Sequence, residues 1–439
     1  MEEISKRDLN PVKGTRDFPP EIQILRKNIF EKIERIFQKY GFDPIETPLV
    51  ERWEVLKGKY GEEAENRLIW RFKLPYSEQE FGLRYDLTVP LARFVAKYRP
   101  KLPFKRYHIG RVFRYEEPQK GRYREFWQCD IDIVGSNSPL ADAEILNVTI
   151  DIFEEFGFKN YTIKLNDRRL LRGIFENFLA IKDYSTILKV YRIIDKLEKI
   201  GKEKVIKEIK TLNLSKEAIE KIDELIETTK LSNEEILTYL KNFRIAEVEN
   251  AIKNLTEILD LIKKPEKIKI DLSLVRGLDY YTGMIYEAIV TEPKIGSLSG
   301  GGRYDELIGM FTKEKIPAVG GSIGIERLID AGLELKIFKT DKKTYSQVGI
   351  IYTKDVNVKK VLEIADILRK NEINVFVPLE SYEGILEGIK EFDKRKIKFA
   401  IIVGKKELEE GKLTLQNLET REKFKVDVQE AIEMVKKNI

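Results

Sequence analysis

Cysteine and histidine are almost missing from this sequence, with one of each, Cys129 and His108, in 439 residues. A single cysteine excludes an internal disulfide, and one histidine beside it leaves too few nitrogen and sulfur ligands for a conventional zinc site. Metal-dependent hydrolysis and Cys–His nucleophilic catalysis are therefore disfavoured. Missing too is any stretch of roughly 20 uninterrupted apolar residues of the kind a membrane helix needs. The opening "MEEISKRDLNPVKG" lacks the apolar core of a signal peptide, so a cytoplasmic location is expected. The GxxxxGK[ST] pattern of a P-loop is absent, which argues against a Walker-type NTPase. Neither sign of charge dominates: 79 basic residues face 74 acidic ones, a net of +5. Such a balance permits nucleic-acid contact through local patches without demanding it. No internal repeat or low-complexity tract is present.

What the chain does have is length and apolar content, 42% over 439 residues, which predicts two or three domains. Residues 21–40 place Ile22, Leu25, Ile29, Ile33, Ile36 and Phe37 at helical spacing, and Gly41 ends the run. Pro44 and Pro48 in "FDPIETPLVE" predict an extended edge segment. From 104 to 134 the pattern alternates. Phe126, Gln128, Asp130 and Asp132 share one strand face, while Trp127, Cys129, Ile131 and Ile133 take the other. The two strands read as a hairpin whose connection, "EPQKGRY", is longer than a tight turn and predicts a mobile basic tip. Residues 167–265 read as a helical insertion, with a capping box at Ser232 and Glu235. Strand patterns return at 268–291, and "VGGSIGIERLIDAGLEL" predicts a glycine-rich approach to a helix beginning near Ile323. Beyond a charged linker, apolar strands alternate with helices, predicting a small α/β domain with a largely parallel sheet.

On the hairpin face stand a guanidinium at Arg114, carboxylates at Glu116 and Asp132, a ring at Phe126 and an amide at Gln128. Solvent alone explains most polar strand faces. Here the glycine-rich segments 296–302 and 320–324 point to close backbone approach and a ligand cleft over the sheet. Phe126 suits a purine, and Arg114, Arg276 and Arg327 supply three positive centres for a triphosphate.

Taken together, "FRYEEPQKGRYREFWQCDIDIVG" at 113–135, "LVRGLDYYTG" at 274–283, "GGSIGIERL" at 320–328 and "YGFDPIETPLVE" at 40–51 resemble the histidyl-tRNA synthetases. They match that family's second class II motif, its histidine-specific segment, its third class II motif and its first. The aspartates at 86 and 132 resemble the archaeal and eukaryotic branch more than the bacterial one. The fold implied is a class II α+β catalytic domain with a mainly antiparallel sheet, a helical insertion and a C-terminal α/β anticodon-binding domain. The implied boundaries are 1–166 and 266–335 for the two parts of the catalytic domain, 167–265 for the insertion, 336–344 for a linker and 345–439 for the anticodon-binding domain.

The resemblance also implies roles. Arg276 and Arg114 would be catalytic, Arg114 reaching the α-phosphate and the substrate carboxylate, with Arg327 on the distal phosphates. Glu116 and Phe126 would frame the adenine and Arg122 lend charge. Asp86, Leu87 and Thr88, in "LRYDLT", would hold the α-amino group with Gln128, and Asp132, Tyr280 and Tyr281 would address the imidazole. Gln119 and Lys120 would meet the tRNA acceptor end. Implied partners are L-histidine, ATP with Mg²⁺, the histidine tRNA and a second copy of the chain; no structural metal and no membrane are implied. Asp279 would order the local backbone, His108 would be a structural strand residue and Cys129 core. The rival reading is the histidine-binding regulatory subunit of ATP phosphoribosyltransferase, which usually lacks the arginine of "LVRGLDYY" and the anticodon-binding domain.

Overall fold

The structure, a computed structural model, describes residues 9–179, 181, 183–194, 196–275 and 280–438. They form two compact units, one comprising the described residues up to Asp17 with Phe30–Phe338, the other Phe18–Ile29 with the chain from Lys339.

In the first unit the strands are β1 (Asp43–Pro44), β2 (Val50–Arg52), β3 (Arg71–Lys73), β4 (Glu80–Leu83), β5 (Phe104–Phe113), β6 (Glu125–Val134), β7 (Tyr161–Asp167), β8 (Ile268–Ile270), β9 (Met284–Val290), β10 (Ser299–Arg303) and β11 (Ala318–Gly324). Eight of them make one sheet in the order β1-β5-β6-β11-β10-β9-β7-β8. Only the outer pairs β1–β5 and β7–β8 are parallel. The small sheet β2-β4-β3 is antiparallel throughout.

The β5–β6 pairing sets Arg106 opposite Asp132, His108 opposite Asp130 and Gly110 opposite Gln128. Strand alternation sends this polar row to one face and Tyr107, Ile131 and Cys129 to the other. Behind β5, the Tyr107 hydroxyl donates to Glu34 and its ring lies 5.7 Å from that of Phe37, both in the helix Pro20–Lys39. Ile29, Ile33, Ile36 and Phe37 of that helix are buried, as the spacing predicts, whereas Ile22 and Leu25 are half-buried and Ile24 is buried in their place. Between β7 and β8 runs a series of helices, among them Lys202–Ile209, Lys216–Glu227, Asn233–Leu240 and Ala246–Asp260. The reciprocal bonds of the Ser232–Glu235 capping box are both made, at 3.2 and 2.7 Å.

Three expectations need correction. The helix after the glycine run begins at Ile325, not Ile323, because Gly320–Gly324 continue β11 and pair with β6 as far as Gln128. The hairpin connection is no free tip. Gln119 and Arg122 exchange backbone bonds around Lys120 and Gly121, Arg124 N–H donates to Gly14, and Arg327 Nε donates to the Gly121 carbonyl at 2.7 Å. The sheet of the second unit is mixed. It comprises β12 (Val348–Tyr352), β13 (Val375–Phe376), β14 (Phe399–Val403), β15 (Leu413–Asn417) and β16 (Lys423–Val426), ordered β13-β12-β14-β15-β16. Its first two pairings are parallel and its last two antiparallel, since β15 and β16 form a hairpin on its edge. Helices Val358–Lys370 and Val428–Lys437 bury one face over Ile350, Ile401 and Leu415, and Phe392 covers Ile351, Ala400 and Ile402 on the other. Burial from both sides explains the near-continuous apolar runs.

The glycines of β10 and β11 let the centre of the large sheet close. A Cβ on Gly301 would stand 2.1 Å from the carbonyl oxygen of Gly320, an atom fixed in the neighbouring strand. Gly301→Ala is expected to lose about 1–3 kcal/mol of stability by overpacking. Gly324→Ala, whose nearest neighbour would be 3.6 Å away, serves as the control and should melt with the wild type. Equal thermal midpoints for the two variants would refute this account.

Candidate active site

The polar face of β6, with Arg114 and Glu116 just past the end of β5, floors a cleft of about 1260 Å³. Its walls come from β9 to β11, the start of the helix Ile325–Glu334, the Tyr60–Leu68 region and the helical run after β7.

At one end stand arginines. Arg114 continues β5; its Nε donates to the Tyr85 carbonyl at 3.1 Å, and its guanidinium lies 4.4 Å from the Tyr85 ring and 5.2 Å from the Phe126 ring. Arg327, in the first turn of its helix, bonds the carbonyls of Gly121 and Ser297, at 2.7 and 2.9 Å. Burial, then the proximity of Arg122 and Arg114, holds its pKa below the usual arginine range. Arg122 pairs with Glu116 at 3.4 Å. Two neighbouring guanidinium groups disfavour the charge of Arg327, and a polyanion bound among the three would relieve that repulsion. The helix carrying Arg327 is tied to β6 by Glu326, whose carboxylate accepts the Trp127 N–H at 3.0 Å.

At the other end stand acids and phenols. Asp86 is buried; its Oδ1 accepts from the Tyr60 hydroxyl at 2.9 Å and from the N–H groups of Thr88 and Val89, which open the helix Thr88–Tyr98. Its Oδ2 accepts from the Tyr280 hydroxyl at 2.9 Å. A carboxylate offers about four acceptor positions, so Oδ2 retains one for a ligand donor. Gln128 donates to Ser322 Oγ at 2.8 Å, and its Oε1 has no hydrogen-bond partner among the described residues. Asp132 pairs with the fully buried Arg106, Nη2 to Oδ2 at 2.6 Å, and accepts a bond from the Tyr304 hydroxyl. Burial pushes the Asp132 carboxyl up to about 7, against the pull of Arg106, and pushes Asp130 up to about 6. The Tyr281 phenol, also in the cleft wall, is raised by burial.

Of the residues singled out in the sequence, Asp86, Thr88, Arg114, Glu116, Arg122, Phe126, Gln128, Asp132, Tyr280, Tyr281 and Arg327 line this one cleft. Leu87 does not: its side chain is buried, and it contributes a carbonyl that accepts from Arg106 at 3.2 Å. Gln119 and Lys120 lie outside it as well, Gln119 in the backbone bridge and Lys120 paired with Glu334 at 2.6 Å. Arg276 and Asp279 fall outside the described residues. Sequence reading missed Tyr60, Tyr85, Arg106, Asp130 and Tyr304. Of these only Asp130 carried a signal, its place on the same strand face as Asp132. His108 is buried on β5, and its ring is pushed down to about 3 by burial and by Arg106 and Arg84, so it stays neutral. Cys129 is fully buried on the opposite face of β6. Among the described residues no group of three or more His, Cys, Asp or Glu side chains could hold a metal ion, and no helix is long and apolar enough to cross a membrane.

Three comparisons bear on this arrangement. The family model described as histidyl-tRNA synthetase matches residues 14–328, and that of the anticodon binding domain matches 347–438. The chain is 49% identical over 430 residues to the histidine–tRNA ligase of Aeropyrum pernix, covering 97% of this chain and 98% of that one. It is also 49% identical over 421 residues to the histidine–tRNA ligase of Nanoarchaeum equitans, covering 95% and 97%. The crystal structure of histidyl-tRNA synthetase from Nostoc sp. PCC 7120 superposes with a TM-score of 0.84 at 32% identity, covering 98% of this chain and 99% of that one.

The raised carboxyls carry a stability signature. A carboxyl whose folded midpoint lies above its ordinary value of about 3.9 stabilises most at low pH and loses that contribution as pH rises through the folded midpoint. For Asp130 the window runs from the ordinary value up through about 6. Asp130→Asn, which cannot titrate, should therefore gain thermal midpoint relative to the wild type between about pH 4.5 and 7.5. A difference that is flat with pH would show that Asp130 titrates as an exposed acid does.

Proposed function

The chain belongs to the histidyl-tRNA synthetase family, and on that premise we propose a division of labour among its cleft residues. The reaction is that of a histidine–tRNA ligase: histidine is activated with ATP and transferred to tRNA. In the first step a carboxylate oxygen of histidine attacks the α-phosphorus, the bond to the bridging oxygen breaks and pyrophosphate leaves. In the second a hydroxyl of the 3′-terminal adenosine attacks the aminoacyl carbonyl and AMP leaves.

The histidine carboxylate is already ionised at neutral pH, so the first step needs alignment and charge neutralisation rather than a general base. The observation that carries the assignment is one cleft with arginines at one end and hydrogen-bonded acids at the other. Arg114, between Phe126 and the Asp86 corner, takes the α-phosphate and the substrate carboxylate. Arg327 takes the distal phosphates. Phe126 stacks on the adenine, with Glu116 and Arg122 beside it. Asp86, Thr88 and Gln128 hold the α-ammonium group, while Asp132, Tyr280 and Tyr281 read the imidazole. Arg276 neutralises charge growing on the α-phosphate, and Mg²⁺ arrives with ATP. Gln119 and Lys120, on the stapled hairpin turn, contact the acceptor end of the histidine tRNA. Residues 1–166 and 266–335 make the catalytic domain, 167–265 the insertion, and 345–439 bind the anticodon. The working form is a cytoplasmic homodimer. The regulatory-subunit alternative is not favoured, because the anticodon-binding model also matches and the relatives of high identity are named ligases.

Histidine-dependent ATP–pyrophosphate exchange tests the core of this scheme. Arg276→Ala should lose about 3–4 kcal/mol of transition-state stabilisation, a fall of roughly 10²–10³ in exchange rate, with histidine binding largely retained. Full exchange in that variant would remove Arg276 from the mechanism. Light scattering at micromolar concentration should report a dimer, and a monomer there would contradict the assembly.

A further inference from the structure

Beneath the residues assigned to the imidazole lies a buried assembly that those assignments leave unused. Arg106 is fully buried on β5. Its Nη2 meets Asp132 Oδ2 at 2.6 Å and the Leu87 carbonyl at 3.2 Å, while its Nε and Nη1 have no hydrogen-bond partner among the described residues. The other oxygen of Asp132 takes the hydroxyl of Tyr304, a residue only 1% exposed. Tyr304 is itself fixed from both sides. Its N–H donates to the Ala318 carbonyl at 2.7 Å. The preceding Arg303 grips Asp142 through two bonds, at 3.0 and 2.5 Å, and the Ser136 carbonyl at 2.8 Å. Gly320 completes the seat, since a Cβ there would stand 2.0 Å from Asp132 Oδ1.

We propose that Arg106 and Tyr304 are positioning residues for histidine selection: each holds one oxygen of Asp132, so that the carboxylate stays ionised and presents its remaining lone pairs to a ring N–H of the substrate. The inference rests on the assignment of Asp132 to the imidazole. A guanidinium with a single carboxylate opposite cannot leave, because an unpaired buried charge is strongly unfavourable. The phenol fixes the angle. Left without this ion pair and this hydroxyl donor, the carboxyl would hold its proton and offer an O–H where the ring needs an acceptor.

The other groups facing Asp132 all work against its charge or are neutral. They are Asp130 on β6, Asp86 before the helix Thr88–Tyr98, and the phenols Tyr281 and Tyr286. Burial and these acids already bring the carboxyl up to about 7, so small changes in the two donors move it across the working range.

The test is the Michaelis constant for the amino acid in pyrophosphate exchange, measured from about pH 5.5 to 8.5 on the full-length protein. Triazolylalanine, whose ring stays neutral over that range, replaces histidine in a parallel series so that only the enzyme titrates. The wild type should show KM rising as pH falls below the carboxyl's midpoint. Tyr304→Phe, an isosteric change, should raise KM about tenfold and move the inflection to higher pH, with KM for ATP within about twofold of wild type. Arg106→Lys should lie closer to wild type than Arg106→Gln. Wild-type KM and inflection in both Tyr304→Phe and Arg106→Gln, beside an Asp132→Asn variant that binds poorly, would overturn the positioning role alone. Unchanged KM in Asp132→Asn would instead remove Asp132 from imidazole reading and take this inference with it.

Discussion

Charge taken out of water has to be met by charge, and in this chain that requirement is concentrated on the facing rows of β5 and β6. Arg106 stands opposite Asp132 in register, and both are buried. Each would be costly alone and is tolerable only beside the other. Neighbouring groups accommodate that pair: Gly320 of β11, which leaves room for the Asp132 side chain, the Arg303–Asp142 clamp beside Tyr304, and the Leu87 carbonyl, which takes part of the guanidinium. The floor of the cleft is thus rigid and polar before any ligand arrives, which is what a site selective for a small heteroaromatic ring requires.

The two ends of the cleft solve different problems. Near Asp86 and Asp132 buried polar atoms such as Gln128 Oε1 and Asp130 Oδ1 have no partner among the described residues, so an isostere lacking the ring nitrogens would leave buried groups stranded. Near Arg114, Arg122 and Arg327 three guanidinium groups gather, with Arg114 and Arg327 tethered to backbone carbonyls, Arg122 paired with Glu116, and Glu287 close to Arg327. That end stays electrostatically unfinished until a polyanion completes it. Selection and transition-state stabilisation therefore occupy adjacent but chemically opposite halves of one space.

Much of this arrangement was legible in the chain itself, where strand alternation separates Gln128, Asp130 and Asp132 from Cys129 and Ile131 without reference to any partner. Local signals also marked the Ser232–Glu235 cap. What escaped was non-local. Arg106 and Tyr304 carry no motif of their own, and their importance comes from a cross-strand register and from a turn that brings residue 304 to residue 132. The mixed sheet of the second unit was missed for a related reason. Alternating helices and apolar strands suggest parallel crossovers, but the β15–β16 hairpin is short, and most of β16 is exposed, so it has no apolar run to announce it. The turn at Gln119–Arg122 is held by Arg327 and the approach to its following strand by Gly14, residues distant in sequence.

His108 has one more consequence. It is the single imidazole of the protein, and burial beside two arginines keeps it from acquiring a proton anywhere near neutrality. In a magnetic-resonance experiment its ring would show no protonation step of its own near neutrality. Any second set of imidazole resonances belongs to the added amino acid, free or bound, because the chain has no other histidine to supply one.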